Sequence, residues 1–430
     1  MRRVAWAIVV LVLAAAAIAV AVWAHRAGRG GEGGTIVLRV ANWGGPGIDP
    51  SLMRIEREIR EAFERRHGNV RVQIENIPGQ GQYVPKLLMM YVAGNPPDVI
   101  SLDASSAAVF IDNDLLVDLA PLIAADPSFR LDAYFPNVVD IARRGDRLYA
   151  IPGDFTPMVM MYNKRLFRDA GVPFPRPGWT RQEFLEAARA LTVHEPGRPV
   201  PTRYGFKFEN WMPGWLPWIW AAGGDVLSPD GRHAVGYLDS PQTIETIRFL
   251  VDLVRQHRVA PSLSETAAAG VDLFRDGRAA MALTGHWSLV EYRVDRMDVG
   301  VASIPGDGRH VTVMYEAGAA ISQASPHRDL AWDYITYRTS AAVQAKVLAT
   351  GVAISAHREV ARSFAGTEVE DAFLAEVPYA RRPWGAAVER YELVEDLGRE
   401  MIEDILSGGV DVEAAARRTA ALVEAELGRP

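Results

Sequence analysis

Eleven tryptophans stand in this chain of 430 residues. Flat rings set beside carboxylates and amides are what a protein uses to hold a molecule with apolar C–H faces and polar edges, such as a sugar. Trp211, Trp215 and Trp218 fall at i, i+4 and i+7, a single helical stripe, although Pro213 and Pro217 argue against an unbroken helix there. A buried aromatic patch is the competing reading of that stripe. Trp43 follows the first apolar segment, and Asp103 ends another, where a carboxylate can accept two hydroxyl groups or simply cap a turn. Gln80 and Gln82, Asn210 beside the stripe, and Arg381 or Arg382 just ahead of Trp384 offer further hydrogen bonds, with plain solvation as the alternative for each.

Reaction chemistry has little support. The chain has no cysteine, which excludes disulfides, iron–sulfur clusters, thiolate zinc sites, cysteine nucleophiles and a lipid-attachment cysteine. No serine is flanked by glycines two places away on both sides, and no glycine-rich stretch ends in Gly-Lys-Ser or Gly-Lys-Thr. The nine histidines include no i, i+4 pair, so neither a metal nor a cofactor is expected. A formal charge of −7, carried by interspersed acids and arginines, gives no surface for nucleic acid.

The elements that must position these residues begin after a distinct leader. Arg2 and Arg3 precede an uncharged run over 4–24, followed by His25, Arg26 and Arg29 and a glycine-rich stretch over 28–34. This is an export signal or an N-terminal membrane anchor. The run approaches the roughly 20 residues of a membrane span. The small residues Val22 and Ala24 tip the reading toward cleavage near Ala24. Either way the globular part lies outside the cytoplasmic membrane, exported and without lipid. Trp6 and Trp23 belong to this leader.

Past residue 34, strand patterns at 36–41, 70–74 and 98–102 alternate with helical patterns at 52–67 and 83–93, which predicts a parallel sheet with helices on both faces. Ligands gather beyond the carboxyl ends of such strands, here at Asn42-Trp43-Gly44-Gly45 and Asp103-Ala104-Ser105. The second half is more helical. Thr180 with Glu183 forms a capping-box signature for a helix over 180–191, Ser240-Pro241 opens one over 240–254, and apolar faces predict helices over 386–406 and 412–427.

Several segments carry a family resemblance in order: Ala93-Gly94-Asn95-Pro96-Pro97-Asp98-Val99, Leu115-Leu116-Val117-Asp118-Leu119, Leu148-Tyr149-Ala150-Ile151-Pro152, Tyr162-Asn163-Lys164-Arg165-Leu166-Phe167, Gly178-Trp179-Thr180, Ala222-Gly223-Gly224, and Gly285-His286-Trp287. Over 36–427 the chain resembles the family 1 extracellular solute-binding proteins, the sugar-binding components of bacterial ABC importers. The resemblance implies an α/β, two-lobed periplasmic-binding-protein fold (class II-like) with three inter-lobe crossings near 153–159, 314–320 and 366–372. It implies lobe 1 from 35–153 and 319–366, and lobe 2 from 154–318 and 367–430, after a leader and linker over 1–34. A monomer would capture a carbohydrate by hinge closure and deliver it to membrane permease subunits driven by a cytoplasmic ATPase.

The same resemblance places Trp287 where relatives stack their ligand, Asp154 in the first crossing and Glu316 in the second. The Trp179 position looks structural. Relatives commonly have small residues where Glu316 stands, and this departure opens a polyol or glycerol-phosphate-like solute as an alternative ligand. The competing class is a carbohydrate-active enzyme using Asp154 and Glu316 as a carboxylate pair. Within the binding reading, the candidate ligand contacts are Trp43, Gln82, Asp103, Asp154, Asn210, Trp211, Trp215, Trp287, Glu316, Arg382 and Trp384.

Overall fold

The computed structural model describes residues 34–43, 50–78 and 80–428; the leader over 4–24, with its Trp6 and Trp23, lies outside the described residues. Strand β1 (Ile36–Trp43) leads through helix α1 (Pro50–His67) to β2 (Val70–Ile77), which pairs with it in parallel. After helix α2 (Gln80–Val92), strand β3 (Val99–Asp103) joins the other side of β1, again in parallel. Along β2, Val70 and Val72 turn inward while Arg71 and Gln73 stay in solvent, the period-two pattern that places one face on a core. Buried Asp98, just ahead of β3, accepts the Arg39 amide at 2.8 Å and the Ser325 hydroxyl at 2.5 Å, which pins the start of this strand.

Strand β4 (Ile151–Pro157) belongs to the same sheet, and after Met158 alone β5 (Val159–Asn163) opens a second sheet. The chain continues through helix α3 (Arg181–Leu191), β6 (Tyr204–Lys207), helices α4 (Met212–Ala221) and α5 (Pro241–Arg255), β7 (Ala279–Thr284) and β8 (Val299–Ala302). It returns as β9 (Thr312–Ile321), then α6 (Arg328–Arg338), α7 (Ala341–Leu348), β10 (Ile354–Ser355), α8 (Glu368–Glu376), β11 (Ala380–Arg381), α9 (Tyr391–Leu406) and α10 (Val412–Leu427). The larger sheet has the order β10-β4-β9-β3-β1-β2, with β11 also paired to β9; the smaller has the order β8-β5-β7-β6.

The parallel arrangement expected from the first hundred residues holds for β1, β2 and β3, and parallel pairs recur at β6 with β7 and at β9 with β11, but the larger sheet is mixed. Strand β9 is antiparallel to both β3 and β4. The reason is connectivity: β4 carries the chain toward the second sheet and β9 brings it back, so the two lie side by side in opposite directions. The boundaries expected at 153/154 and 318/319 fall inside these two strands, both of which belong to the larger sheet.

Two cores flank the junction. One surrounds the larger sheet and includes Leu38, Phe63, Leu102, Phe155 and Ile321; the other joins Phe184, Phe206, Trp218, Leu250, Ile402 and Val423, so that α9 and α10 pack with α4 and α5. The doubt raised by two prolines in the tryptophan stripe resolves in favour of a continuous α4. Pro213 lies in its first turn, where an N–H would lack a helical partner in any case. Pro217 sits one turn later, and burial of Trp215, Trp218 and Trp220 outweighs the bond it forfeits. The helix expected over 386–406 starts later, at Tyr391, after a short 3-10 turn over Trp384–Ala386. Among the described residues no helix is long and apolar enough to cross a membrane.

The capping box is formed as read: Thr180 accepts the Glu183 amide at 3.1 Å while the Glu183 carboxylate accepts the Thr180 amide at 2.8 Å. Thr180→Ala is expected to lower stability by about 1 kcal/mol in urea unfolding, with the slope of the transition unchanged.

Candidate functional site

A cavity of about 600 Å³ lies between the two sheets. Its walls on the larger-sheet side come from strand ends: Asn42 and Trp43 close β1, Ser101 and Asp103 close β3, and the middle of β4 and β9 contributes Asp154, Thr156, Tyr315 and Glu316. From the other side come Trp211 at the start of α4, Trp287 just past β7, and Glu395 from α9. Both bodies thus present aromatic rings and carboxylates to one space.

Strand register explains part of this convergence. Asp103 on β3 stands opposite Ala317 on β9, which in turn stands opposite Asp154 on β4. Two carboxylates therefore flank one small residue across three adjacent strands. The ladder between β9 and β4 shifts between Ala317 and Gly318. A Cβ at Gly318 would come within 2.5 Å of the Glu316 Oε1 atom, so the glycine leaves the room that this carboxylate occupies. Asp103 itself accepts the Ser105 amide at 2.6 Å and the Ser105 hydroxyl, a turn that holds its side chain at the strand end.

Trp287 is carried by a 3-10 turn over His286–Ser288. A Cβ at Gly285 would meet the Trp287 ring at 2.3 Å, so only glycine allows the ring to fold back over this turn. The turn is tied to β4, since the His286 amide donates to Thr156 Oγ1 at 2.8 Å, and the buried His286 ring meets Glu370 of α8 at 2.8 Å. The ring of Trp287 remains 37% exposed. Trp43 leans on Tyr83, ring centroids 4.6 Å apart, and Tyr83 is fixed by donating to the Ser101 carbonyl at 2.9 Å.

The site's electrostatics are dominated by acids. Glu316 is 3% exposed, and its Oε1 has no hydrogen-bond partner. Burial, then Asp103 and Asp154, push its pKa well above the usual carboxylate range. Burial lifts Asp154 to about 6, with Arg338 pulling the other way and Glu56 and Asp103 adding to the rise. Glu395 is raised to about 8 by burial and by Asp103, Glu392 and Asp396. Arg338 donates to both oxygens of Glu56 at 2.6 and 2.7 Å; burial opposes its charge most, but Glu56, Tyr334 and Asp154 together outweigh burial. Among the described residues no three acidic or histidine side chains are grouped so as to hold a metal ion.

The structure brings Trp43, Asp103, Asp154, Trp211, Trp287 and Glu316 to this cavity. It sends five other candidates elsewhere. Trp215 is fully buried in the second core, because α4 turns that face, together with Met212, onto Gly398 of α9 rather than outward. Trp384 is buried and its indole N–H donates to Asp225 at 2.8 Å, an oxygen that Trp220 also uses. Arg381 closes the same node over the Trp220 ring, and Arg382 is exposed outside the cavity. Gln82 is in solvent, since α2 turns Tyr83 and Leu87 inward instead; the side chain of Gln80 lies outside the described residues. Asn210 donates to the Arg399 carbonyl at 2.9 Å and lines a neighbouring cavity that shares Trp211 and Trp287. Trp179 has the structural role expected, buried with its N–H on the Ser303 carbonyl at 2.8 Å.

Sequence reasoning missed Tyr315, Arg338, Gln344 and Glu395. Tyr315 directly precedes Glu316 and was open to suspicion on that ground. Arg338, Gln344 and Glu395 sit on amphipathic helices, where a charged or amide position reads as solvated until the neighbouring lobe is placed.

Raised carboxylate pKa values make a signed statement about stability. Between its unfolded value and about 8, Glu395 holds more proton in the folded chain than in the unfolded one, so stability falls as pH rises through that window. Thermal unfolding of the ligand-free protein is expected to show a lower Tm at pH 8 than at pH 5.5. Glu395→Gln is expected to flatten that fall by a few degrees.

The profile of the family described as bacterial extracellular solute-binding protein matches residues 50–345. The chain is 21% identical over 386 residues to a binding protein of Brucella abortus (strain 2308), covering 86% of this chain and 89% of that one. It is 21% identical over 279 residues to an arabinooligosaccharide-binding protein of Halalkalibacterium halodurans, covering 62% and 60% of the two chains. In three dimensions it is similar to an ABC substrate-binding protein of Listeria monocytogenes in complex with cycloalternan, with a TM-score of 0.81 at 20% identity over 92% of this chain and 100% of the other. That likeness shows the two-lobed α/β fold, with the cavity described above lying between the two sheets. With two sheets joined through β4 and β9, and a family profile matched over most of its length, the chain belongs to the bacterial extracellular solute-binding proteins.

Proposed function

We propose that this protein captures a carbohydrate between its two lobes and delivers it to the membrane permease of an ABC importer, without catalysing a reaction on it. The observation that carries the reading is a cavity faced by Trp43, Trp211, Trp287 and Tyr315 with Asn42, Asp103, Asp154 and Gln344 between them. Rings cover the C–H faces of a pyranose, and fixed carboxylates and amides accept and donate to its hydroxyl edge. Relatives named for arabinooligosaccharide and diacetylchitobiose binding agree with that chemistry. A polyol or glycerol phosphate is less well served, because Arg338 is the one basic side chain among the described lining residues and it is committed to Glu56.

Export through the leader, cut near Ala24 and without lipid, completes the reading. The two moving bodies are taken as 35–153 with 319–366 and 154–318 with 367–430, turning about the chain near 153–159, 314–320 and 366–372. The receptor is taken as a monomer. Closure on the ligand is expected to reduce the radius of gyration measured by small-angle scattering at saturation. An unchanged radius would count against hinge closure, and new reducing ends released from an oligosaccharide would move the protein to the enzyme class.

The aromatic contacts are tested by two variants with opposite signatures. Trp287→Ala is expected to weaken sugar binding by roughly 2 kcal/mol, about 30-fold, in calorimetric titration. Trp218→Ala, in the second core, is expected to lower folding stability by about 3 to 5 kcal/mol and leave the affinity of the folded protein unchanged. Unchanged affinity in Trp287→Ala would remove its ring from the site.

A further inference from the structure

Trp287 reaches the cavity from a turn, and at 37% exposure its ring is aimed by whatever holds that turn rather than by a packed shell of its own. Three separate segments do the holding. Within the turn, Thr284 Oγ1 and Ser288 Oγ lie 2.7 Å apart, so one hydroxyl donates to the other across the bend. From β4, in the stretch where the first inter-lobe crossing is taken to lie, Thr156 Oγ1 accepts the His286 amide at 2.8 Å. From α8, where the third crossing is taken to lie, Glu370 Oε2 meets His286 Nε2 at 2.8 Å.

The His286 ring is fully buried, a costly place for an imidazole unless a partner waits there. It stands edge-on to Phe373 of α8, centroids 4.8 Å apart, and its Nδ1 has no partner. An ionised Glu370 can only accept, so Nε2 carries the proton and the ring is fixed in one tautomer and one orientation. Glu370 is held in turn by its other oxygen, since Oε1 accepts Arg293 Nη2 at 2.5 Å from the short helix Leu289–Val294 that follows the turn. Burial pushes the Glu370 carboxyl up, but the hydrogen bonds and charges of His286 and Arg293 outweigh it and keep the group ionised.

One carboxylate thus grips the chain on both sides of Trp287, at 286 and at 293. Its helix packs on β8 of the smaller sheet and on β4 of the larger, so the grip is applied where the two bodies join. Glu370 itself lines neither of the cavities that Trp287 faces. Any effect it has on a ligand must pass through the turn.

We infer that Glu370 is a positioning residue for solute capture: from α8 it orients His286, and through His286 it sets the Trp287 ring in the pose that stacks on the sugar. This rests on the carbohydrate reading and deepens it. The other paired acids of α8 supply a control, because Glu368 takes Lys164 at 2.6 Å and Glu376 takes His310 at 2.8 Å, partners that lie outside the turn.

The test uses the full chain labelled with 5-fluorotryptophan, in which the Trp287 fluorine resonance is identified by its absence from Trp287→Phe. Glu370→Gln keeps volume and removes charge, and it is expected to shift or broaden that resonance in the ligand-free protein while Glu368→Gln leaves it in place. Affinity is then read by calorimetric titration with maltotriose, diacetylchitobiose and arabinotriose, using the tightest binder of the three. Glu370→Gln is expected to weaken binding about tenfold in the native chain and less than about twofold in the Trp287→Ala background, because residues that act through one ring are not additive. Arg293→Gln removes the other hold on the same carboxylate from an exposed position, and is expected to act in the same direction to a smaller extent, so the inference stays open to refutation should Glu370→Gln not fold. A resonance unmoved by both variants, or losses that add in full in the Trp287→Ala background, overturns this inference and leaves the carbohydrate reading in place. Affinity untouched by Trp287→Ala overturns both the aromatic contact and this inference, and binding of none of the three sugars overturns the carbohydrate reading and this inference with it.

Discussion

The structure depends on two strands lying against each other at the junction of the lobes. β4 leaves the larger sheet for the smaller one with Met158 alone between it and β5, and β9 returns alongside it in the opposite sense. Backbone hydrogen bonds between them fix the place where the two bodies can meet, and the same ladder sets Asp154 in line with Ala317 and Asp103. The second body must then bring Trp211, Trp287 and Glu395 to whatever these strands expose. The His286 amide on Thr156, and the His286 ring on Glu370, extend that constraint to the turn that carries Trp287. A site built this way has its polar groups on the shared strands and much of its apolar surface on the lobe that approaches them.

Such a site is expensive to keep empty. Burying carboxylates lowers stability, and burial raises the pKa of Glu316, Asp154 and Glu395, so each keeps its proton to a higher pH than a solvated carboxyl does. The contrast with Glu56 and Arg338 is instructive, since that pair lies on the same cavity wall and is satisfied in both oxygens. At Asp154 the same guanidinium lowers the pKa but does not offset burial, so that acid stays raised while Glu56 is paired.

Much of the architecture was legible because it rests on local rules. Val70 and Val72 alternate, Thr180 and Glu183 sit three apart, Ser240 precedes a proline, and each pattern became the element it implied. What local rules do not contain is direction across the sheet: nothing near Ile151 or Thr312 reveals that β4 and β9 run antiparallel to each other, because that follows from a return path of about 150 residues. The site divides along the same line. Asp103 and Trp43 were legible as strand ends, and Asp154, Trp287 and Glu316 came from the family resemblance. Arg338 and Glu395 were not legible, since a charge on a helix looks the same whether it faces water or the opposite lobe.

The tryptophans show which feature separates cavity from core. Trp43 ends β1, Trp211 caps the start of α4 and Trp287 sits in the turn after β7, and all three line the cavity. Trp215, Trp218 and Trp220 lie inside α4 and are buried. Helical spacing therefore grouped Trp211 with the wrong partners: i, i+4 and i+7 describes a shared face only where all positions are helical, and Trp211 has an extended backbone with φ of −140° and ψ of 149°. At an element's end the backbone leaves the packed layer and can aim a ring past it, whereas within the helix each large ring is needed to fill the space against α3 and α5, as Trp218 does with Phe184 at 5.0 Å and Phe249 at 5.9 Å. A ring's position relative to the end of its element carries the information that its chemistry and its spacing do not.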